Sequence, residues 1–287
     1  MKSRLIRVLI TGANSYVGTN VKDWLMKNPK NYYVETLDMK NPDWIDFDFS
    51  KFDVVYHVAG IAHVSSKKSL KDLYYKVNRD LAIQTAEVAK KSGVKHFIFM
   101  SSMIVYSSKE SKIDKNTVPH PDNFYGDSKL QAELGLKKLE DNDFNISVIR
   151  PPMIYGKNSK GNFPKLINLS KKIFVFPKFN NIRSSLFIDN LCCFIENVIS
   201  NKKYGILFPQ NGEYYSTSKV ILLSSSFFGK KIWFTSLFNP LINVFRKKIS
   251  IVRKVFGDFY YDYELSKYDF EYQKINLNDS VIKTIGI

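Results

Sequence analysis

The sequence has few cysteines and no long apolar run. Its two cysteines, Cys192 and Cys193, are neighbours in an apolar, helix-compatible stretch over residues 191–199. That spacing fits neither a disulfide framework nor a zinc or CxxC redox motif, so we expect two reduced core thiols and no bound metal. The apolar stretches fall well short of the roughly 20 residues that a membrane span needs, and no signal-like segment precedes the first predicted strand. We therefore expect a cytoplasmic protein.

Acidic residues are also scarce, with 27 Asp and Glu against 43 Lys and Arg, which gives a net charge of +16. A positive field would speed encounter with anionic ligands. No nucleic-acid recognition motif accompanies the charge, so we do not expect a nucleic-acid partner. Residues 232–259 mix aromatic, aliphatic and basic side chains, as interfacial membrane segments do. We interpret this segment as an ordinary part of a substrate lobe with a basic rim, and keep peripheral membrane contact as the alternative.

The chain is long enough for one large α/β domain and a smaller part, and 44% hydrophobic residues suffice for a core. Short apolar runs alternate with helical stretches, which is typical of βαβ units and a parallel sheet. The predicted strands cover residues 5–10, 32–37, 53–58, 95–100 and 145–150. The predicted helices cover residues 17–27, 70–92 and 126–140.

The first predicted strand runs directly into Thr-Gly-Ala-Asn-Ser-Tyr-Val-Gly at residues 11–18. In a dinucleotide site the first glycine makes a tight turn, a later one allows close helix packing, and the helix N-terminus carries the pyrophosphate. Gly12 and Gly18 fit these roles, although Ser15 replaces the usual middle glycine. The loop residues that we assign to cofactor binding are Gly12, Asn14, Ser15, Tyr16, Val17 and Gly18.

Asp38 ends the second predicted strand, twenty residues after Gly18. An acidic residue at this distance accepts hydrogen bonds from the adenosine ribose hydroxyls. A carboxylate there would repel a 2′-phosphate, so Asp38 favours NAD over NADP. The nearby Lys40 leaves NADP open.

A Tyr and a Lys four residues apart, Tyr125 and Lys129, share one face of a predicted helix. A phenol has an unperturbed pKa of about 10 and works poorly near neutrality unless a cation favours the phenolate. A hydroxyl that positions the reacting oxygen completes such a site. Ser102, Tyr125 and Lys129 would supply these three groups, and we assign them as the catalytic residues.

Several further motifs follow in a fixed order: Val-Ala-Gly at 58–60, Ser-Ser-Met-Ile-Val-Tyr at 101–106, Tyr-Gly-Asp-Ser-Lys at 125–129 and Arg-Pro-Pro-Met-Ile-Tyr-Gly at 150–156. With these motifs the chain resembles an extended short-chain dehydrogenase/reductase of the NAD-dependent epimerase/dehydratase family. The resemblance implies an α/β fold, a doubly wound, Rossmann-like parallel sheet with a smaller, interleaved C-terminal substrate lobe. It further implies that 183–200 returns a strand and a helix to the sheet. The expected Rossmann domain comprises residues 1–155 and about 183–205, and the lobe about 156–182 and 206–287.

The resemblance also implies roles for individual residues. Lys129 would additionally bind the nicotinamide ribose, Ala59 would lie near the pyrophosphate, and Pro152 would pass beside the nicotinamide. Arg183 would bind the substrate diphosphate, as would Asn162 and Arg253. Ser102 would also contact the substrate. We interpret Asn78 as a structural hydrogen-bonding residue, and His57 and His63 as turn or packing residues.

The expected substrate is a UDP-linked sugar. Dehydratases of the family carry an Asp-Glu pair after the catalytic Ser or Thr, where this chain has Met103 and Ile104, so dehydration is not expected. The resemblance favours a UDP-4-keto-6-deoxy-hexosamine 4-reductase of bacterial surface polysaccharide synthesis. The alternatives are a UDP-sugar 4-epimerase with retained NAD and, more distantly, a non-catalytic NAD(P)-sensing protein. A homodimer through helices 70–92 and 126–140 would follow the family habit.

Overall fold

The computed structural model describes residues 4–62 and 68–286, so His63 lies outside the described residues. The strands are β1 Ile6–Thr11, β2 Tyr32–Leu37, β3 Val54–His57, β4 His96–Met100, β5 Lys112–Ile113, β6 Asn145–Ile149, β7 Met153–Tyr155, β8 Val175–Pro177, β9 Ser185–Phe187, β10 Gly205–Leu207, β11 Trp233–Thr235 and β12 Tyr260–Tyr261. The helices are α1 Tyr16–Leu25, α2 Lys71–Tyr74, α3 Leu81–Lys91, α4 Phe124–Lys137, α5 Asn162–Ser170, α6 Ile188–Ser200, α7 Thr217–Phe227, α8 Asn239–Lys248, α9 Ser250–Phe256 and α10 Leu277–Ile285. A π-helix, Tyr75–Asp80, joins α2 to α3, and short 3-10 turns include Met103–Val105.

Six strands form the central sheet in the order β10-β6-β4-β3-β1-β2, and every neighbouring pair is parallel. The five strands predicted from the apolar runs are all present within one residue of the expected bounds. A parallel sheet is covered on both faces, which explains why its strands read as continuous apolar runs. The predicted helix 70–92 is interrupted by the π-helix.

The two faces of the sheet carry separate cores. Val8 and Ile10 pack into a cluster with residues of α1 and α6, whereas Leu9 points the other way, into a cluster with residues of α3 and α4. Alternate residues of one strand point to opposite faces. The expected doubly wound α/β fold is therefore confirmed.

The C-terminal part contributes both to this sheet and to small separate sheets. Helix α6 packs on α1. The prediction that residues 183–200 return a strand to the central sheet is wrong, because β9 pairs with β7 in a separate sheet and the strand that joins the central sheet is β10, after the helix. β10 is three residues long with two of them exposed, so it has no clear apolar signature in the sequence. The division into a Rossmann domain and a lobe stays a prediction.

Cys192 and Cys193 are free and buried, as expected of core thiols, and burial raises the pKa of both. Within residues 4–62 and 68–286, no helix combines the length and the apolar character that crossing a bilayer requires.

Candidate active site

The glycine loop links β1 to α1 and lies against the end of β3. Gly12 has φ +98°, and a Cβ there would stand 2.8 Å from the Ala59 backbone nitrogen, so both the conformation and the space require glycine. Ser15, in the place of the usual middle glycine, caps α1 by accepting a hydrogen bond from the Gly18 amide at 3.1 Å. The amides of Tyr16 and Val17 open the helix, at its positive end. The loop therefore fits a pyrophosphate.

Asp38 follows β2 directly, beside this loop. The Leu37 carbonyl accepts hydrogen bonds from the amides of Gly12 and Ala13 at 2.9 and 3.1 Å, which fixes the end of β2 against the loop. The Asp38 side chain is exposed and accepts a hydrogen bond from the Lys40 amide at 3.0 Å. A carboxylate thus stands where an adenosine ribose would lie next to the loop.

Ser102 and Tyr125 come together at the carboxyl end of β4. Ser102 caps the turn Met103–Val105 by accepting from the Ile104 amide at 3.3 Å, and its hydroxyl lies beside the half-buried Tyr125. Burial raises the pKa of Tyr125 to about 12, and the neighbouring Ser102 hydroxyl offsets only part of that rise. Gly126 makes this approach possible, because a Cβ there would stand 2.3 Å from the Ile104 carbonyl oxygen.

Lys129 lies one turn further along α4 and is only 5% exposed. Its Nζ donates to the Met100 carbonyl at 2.8 Å and lies 4.6 Å from the centre of the Phe99 ring. Burial lowers the pKa of Lys129 to about 8, which nearby Glu133 partly counters. A Cβ on Gly60 would approach this Nζ to 3.3 Å, so Lys129 borders the Val-Ala-Gly turn that also touches Gly12.

A buried ion pair supports the turn that carries Ser102. Arg150 Nη2 lies 2.5 Å from Glu133 Oε2, and both side chains are 5% exposed. Ser101 donates to the same carboxylate, and Arg150 Nη1 donates to the Tyr106 hydroxyl at 2.7 Å. Arg150 was named from the sequence only as the start of the motif at 150–156, and Glu133 was not singled out. The only feature of the sequence that pointed to Glu133 is its position four residues after Lys129 on the same helix.

Asn78 is fully buried in the π-helix. It accepts from the Ile61 amide at 2.8 Å, and its Nδ2 donates to the Ile61 carbonyl and to Ser128 Oγ at 3.2 and 3.1 Å. The prediction of a structural hydrogen-bonding role is confirmed. π-helical turns often occur at functional sites, and this one ties the loop after β3 to α4.

His57 is a packing residue, as predicted. Its Nδ1 pairs with Thr11 Oγ1 at 2.8 Å, and its ring stacks near Phe97 and Phe99. Burial, followed by the charge of Lys129, lowers the pKa of His57 to about 3, so the ring is neutral near pH 7.

Two of the three residues assigned to the diphosphate lie close together. Arg183 Nη1 donates to the Gly257 carbonyl at 2.9 Å, and Arg253 lies in α9, four residues before Gly257. Both arginines are half-buried, whereas Asn162 is exposed at the start of α5. Tyr261 connects this region to the buried ion pair, because its amide donates to Ser184 Oγ and its hydroxyl donates to the Arg150 carbonyl, both at 2.9 Å. Pro152 is buried, and the Pro151 carbonyl before it accepts from the Met103 amide at 2.8 Å.

These groups form one continuous site along the carboxyl ends of the sheet strands, where open α/β sheets bind ligands. The contacts described above connect Asp38 to Gly12, Gly12 to Ala59, and the turn at Ala59 to Lys129. Ser102 and Tyr125 lie at the Lys129 end of this series. A glycine loop that admits no side chain, an exposed carboxylate beside it and a Ser-Tyr-Lys set are the features of a dinucleotide-binding protein of the extended short-chain dehydrogenase/reductase class.

Comparison with known proteins agrees with this class. The sequence profile of the NAD dependent epimerase/dehydratase family matches residues 8–206. The chain belongs to this family. As its description states, the family is NAD-dependent.

Two curated relatives are each 30% identical to the chain. One is the UDP-glucose 4-epimerase of Vibrio cholerae, over 79% of this chain and 77% of the relative. The other is N-acetyl-alpha-D-glucosaminyl-diphospho-ditrans,octacis-undecaprenol 4-epimerase of Escherichia coli O157:H7, over 69% of this chain and 64% of the relative.

Solved structures share the fold. UDP-glucuronic acid 4-epimerase from Bacillus cereus in complex with NAD has a TM-score of 0.74 at 21% identity and covers 97% of both chains. dTDP-4-dehydrorhamnose reductase from Yersinia enterocolitica has a TM-score of 0.72 at 20% identity, over 98% of this chain and 99% of its own.

Proposed function

We propose that this protein carries out hydride transfer at C4 of the sugar in a nucleotide sugar, with NAD as its cofactor. The observation that carries the proposal is the placement of the Ser102 hydroxyl beside Tyr125, one helical turn from the buried Lys129 ammonium group, at the end of the glycine-loop site. Bound NAD supplies the hydride acceptor and the positive charge of the oxidised nicotinamide.

In this proposal Tyr125 transfers the proton of the reacting C4 oxygen, and Ser102 holds that oxygen through its hydroxyl. With its pKa at about 12 in the chain alone, Tyr125 needs a further positive charge nearby to act near pH 7. The amides of the glycine loop bind the pyrophosphate, and Asp38 binds the ribose hydroxyls. Lys129 donates to the nicotinamide ribose.

The substrate diphosphate lies along Arg183 and Arg253, with Asn162 at the edge. A guanidinium group suits bidentate contact with phosphate oxygens. Arg183 Nη1 already donates to the Gly257 carbonyl, which holds its side chain toward α9. The arrangement supports a sugar diphosphate as the recognised group.

Two reactions at C4 would use these residues. We favour 4-epimerisation with retained NAD, and its support is that both curated relatives described above are 4-epimerases. The second candidate is 4-keto reduction, which the sequence favoured through its resemblance to capsule and O-antigen enzymes. Dehydration lacks support, because buried Met103 and half-buried Ile104 can neither donate nor accept a proton.

Stoichiometry separates the two reactions. The purified protein is incubated with UDP-GlcNAc, UDP-GalNAc and a UDP-4-keto-6-deoxy-hexosamine, each with and without added reduced cofactor. Interconversion of the first two without added cofactor supports the epimerase, whereas one-for-one oxidation of reduced cofactor with the keto sugar supports the reductase. A parallel incubation with undecaprenyl-diphosphate-linked GlcNAc tests the carrier that the second relative's name specifies.

The role of Tyr125 is tested with Tyr125→Phe. We expect normal NAD binding and a turnover lower by about 10²–10⁴-fold, the usual contribution of a general acid or base. Tyr33→Phe is the matched control, because Tyr33 is exposed near the opposite end of β2. Turnover close to the unaltered protein in Tyr125→Phe would refute the assignment. Bound NAD without turnover of any sugar by the unaltered protein would favour the NAD-sensing alternative.

A further inference from the structure

One side of the C-terminal part exposes many large apolar side chains. Within residues 233–251 the exposed ones are Trp233, Leu237, Phe238, Leu241, Val244, Phe245, Ile249 and Ile251. Trp233, Leu237 and Leu241 are 71%, 78% and 62% exposed. Single exposed apolar residues are ordinary, whereas a concentration of this kind marks a surface that contacts a partner or a membrane.

The side of helix α8 that faces the protein carries two polar residues, Asn239 and Arg246, and one apolar residue, Ile242. Asn239 Nδ2 donates to the Lys178 carbonyl at 2.9 Å, and Arg246 lies 3.6 Å from the Asp258 carboxylate and over the Phe179 ring. Ile242 is the buried residue of this helix. Helical periodicity places Leu241 and Val244 on the outward face and Phe245 at its border, and all three are exposed. An ordinary surface helix turns its apolar stripe toward the core and its polar residues outward.

The exposed strand residues belong to the same unit. Trp233 pairs with Val175 in the parallel pair β8–β11, and its amide donates to the Phe174 carbonyl at 2.8 Å. The Lys178 amide donates to the Thr235 carbonyl at 2.8 Å, and the Lys178 carbonyl accepts from Asn239. This hydrogen-bonded connection holds the strand pair to the start of α8. We define the lobe surface as Phe174, Val175, Trp233, Leu237, Leu241, Val244 and Phe245.

Unpaired basic residues flank this surface in the sequence. Residues 214–257 contain 8 Lys and Arg and no Asp or Glu, and of these eight Lys219 and Arg246 pair with Glu213 and Asp258 just outside the range. Lys247 and Lys248 end α8, and Lys230 and Lys231 precede β11. A second copy of the chain would bring a like charge against this one, which disfavours self-association here. An apolar centre bordered by cations is complementary to a bilayer with anionic headgroups.

We propose that the lobe surface docks peripherally on a membrane that contains anionic phospholipids. Trp233, Leu237 and Leu241 enter the interfacial region, where tryptophan is favoured, and the lysines at 230, 231, 247 and 248 contact the headgroups. This reverses the interpretation of residues 232–259 that the sequence favoured. The sequence shows the apolar and basic residues together, but not that the apolar face of α8 points outward.

The test is sedimentation of the full-length chain with vesicles. One set contains equimolar phosphatidylcholine and phosphatidylglycerol, and the other contains phosphatidylcholine alone. We expect sedimentation with the anionic vesicles, a steep decrease as salt increases, and little binding to phosphatidylcholine alone. Failure to sediment with anionic vesicles at low salt would overturn the proposal.

Two double variants locate the contact. Trp233→Asn/Leu241→Asn and Lys247→Glu/Lys248→Glu should each weaken binding by about tenfold or more, since each removes surface contacts of the kind that drive interfacial binding. The matched controls Ile45→Asn/Val118→Asn and Lys30→Glu/Lys91→Glu change exposed residues elsewhere and should bind like the unaltered protein. Circular dichroism and thermal unfolding check that each variant is folded.

Equal binding by the lobe-surface variants and their controls would overturn the proposal. A second outcome would also overturn it: light scattering shows that the unaltered chain is a dimer and Trp233→Asn/Leu241→Asn is a monomer, and the unaltered chain does not bind vesicles. In that case a second copy of the chain would cover the lobe surface. None of the altered residues belongs to the proposed cofactor or substrate site. Turnover of a water-soluble nucleotide sugar should therefore be unchanged, which separates this test from the test of the proposed function.

Discussion

Replacing Lys129 by Met should stabilise the cofactor-free protein at neutral pH. Burial lowers the pKa of Lys129 from 10.5 to about 8, so folding at pH 7 places a cation in a site that disfavours it. A fall of about 2.5 in pKa corresponds to a cost of roughly 3 kcal/mol. Methionine has a similar length and no charge. Its substitution also leaves the Met100 carbonyl without its donor, which costs about 1–2 kcal/mol. The expected net gain at pH 7 is about 1–2 kcal/mol.

The sign of the pH dependence follows from the two pKa values. Below pH 8 both the folded and the unfolded chain carry a protonated lysine, and the full cost is present. Between about pH 8 and 10.5 the folded protein loses the proton first, so the unfolded state binds more protons and the cost shrinks as pH rises. The advantage of Lys129→Met should therefore decrease over this range, reach zero between about pH 9 and 10, and become a disadvantage of about 1–2 kcal/mol near pH 10.5, because only the lost hydrogen bond remains there.

The assay is urea unfolding of the cofactor-free unaltered protein and of Lys129→Met at several pH values from 7 to 10. Lys138→Met, which changes an exposed lysine just after α4, is the control and should show a difference that does not vary with pH. Turnover of Lys129→Met should be strongly reduced even where stability is gained. A stability difference that does not change between pH 7 and 10, or a loss of several kcal/mol at pH 7, would refute the reasoning.

Two further predictions concern the ion pair and the cofactor. Glu133→Gln leaves Arg150 buried without its counter-ion, so the free energy of unfolding measured in urea should fall by about 3–5 kcal/mol. The control Glu271→Gln breaks an exposed ion pair and should lower it by about 0–1 kcal/mol. Equal effects of the two substitutions would contradict the stabilising role of the buried pair. Asp38→Asn removes a charged acceptor, so NAD affinity measured by calorimetry should fall about tenfold and preference over NADP should decrease. Exposed Asp43→Asn is its control, and unchanged affinity in Asp38→Asn would exclude the ribose contact.

The sequence predicts the central sheet well because each strand is buried on both faces and reads as an uninterrupted apolar run. The glycine loop and α4 are equally visible, since turn chemistry and helical spacing are local properties. β10 is not visible, because its pairing with β6 is set by the preceding helix and not by its own three residues. The π-helix around Asn78 is likewise hidden, since it depends on Ile61 and Ser128, which are distant in the chain.

The site shows the same division between local and long-range information. Ser102, Tyr125 and Lys129 follow from residue type and spacing. Glu133 lies in helix α4, and Arg150 follows a strand 17 residues later in the chain. Neither residue type indicates from the sequence that it has a buried partner. The order of the pKa effects was also beyond the sequence. Lys129 was expected to supply the cation that favours the Tyr125 phenolate, yet in the chain alone burial raises the pKa of Tyr125 and the opposing contribution comes from Ser102.

Helix α4 explains why Lys129 remains an uncompensated cation. The nearest carboxylate is Glu133, one turn away, and its charge does raise the pKa of Lys129. Glu133 is held by Arg150 and by Ser101, however, so its oxygens accept from those groups, and Lys129 donates to a neutral carbonyl instead. A lysine paired directly with a carboxylate would be stable and unavailable to a ligand. Because the carboxylate is engaged elsewhere, the ammonium group stays desolvated at the site, where ribose hydroxyls of a bound dinucleotide would give it better acceptors.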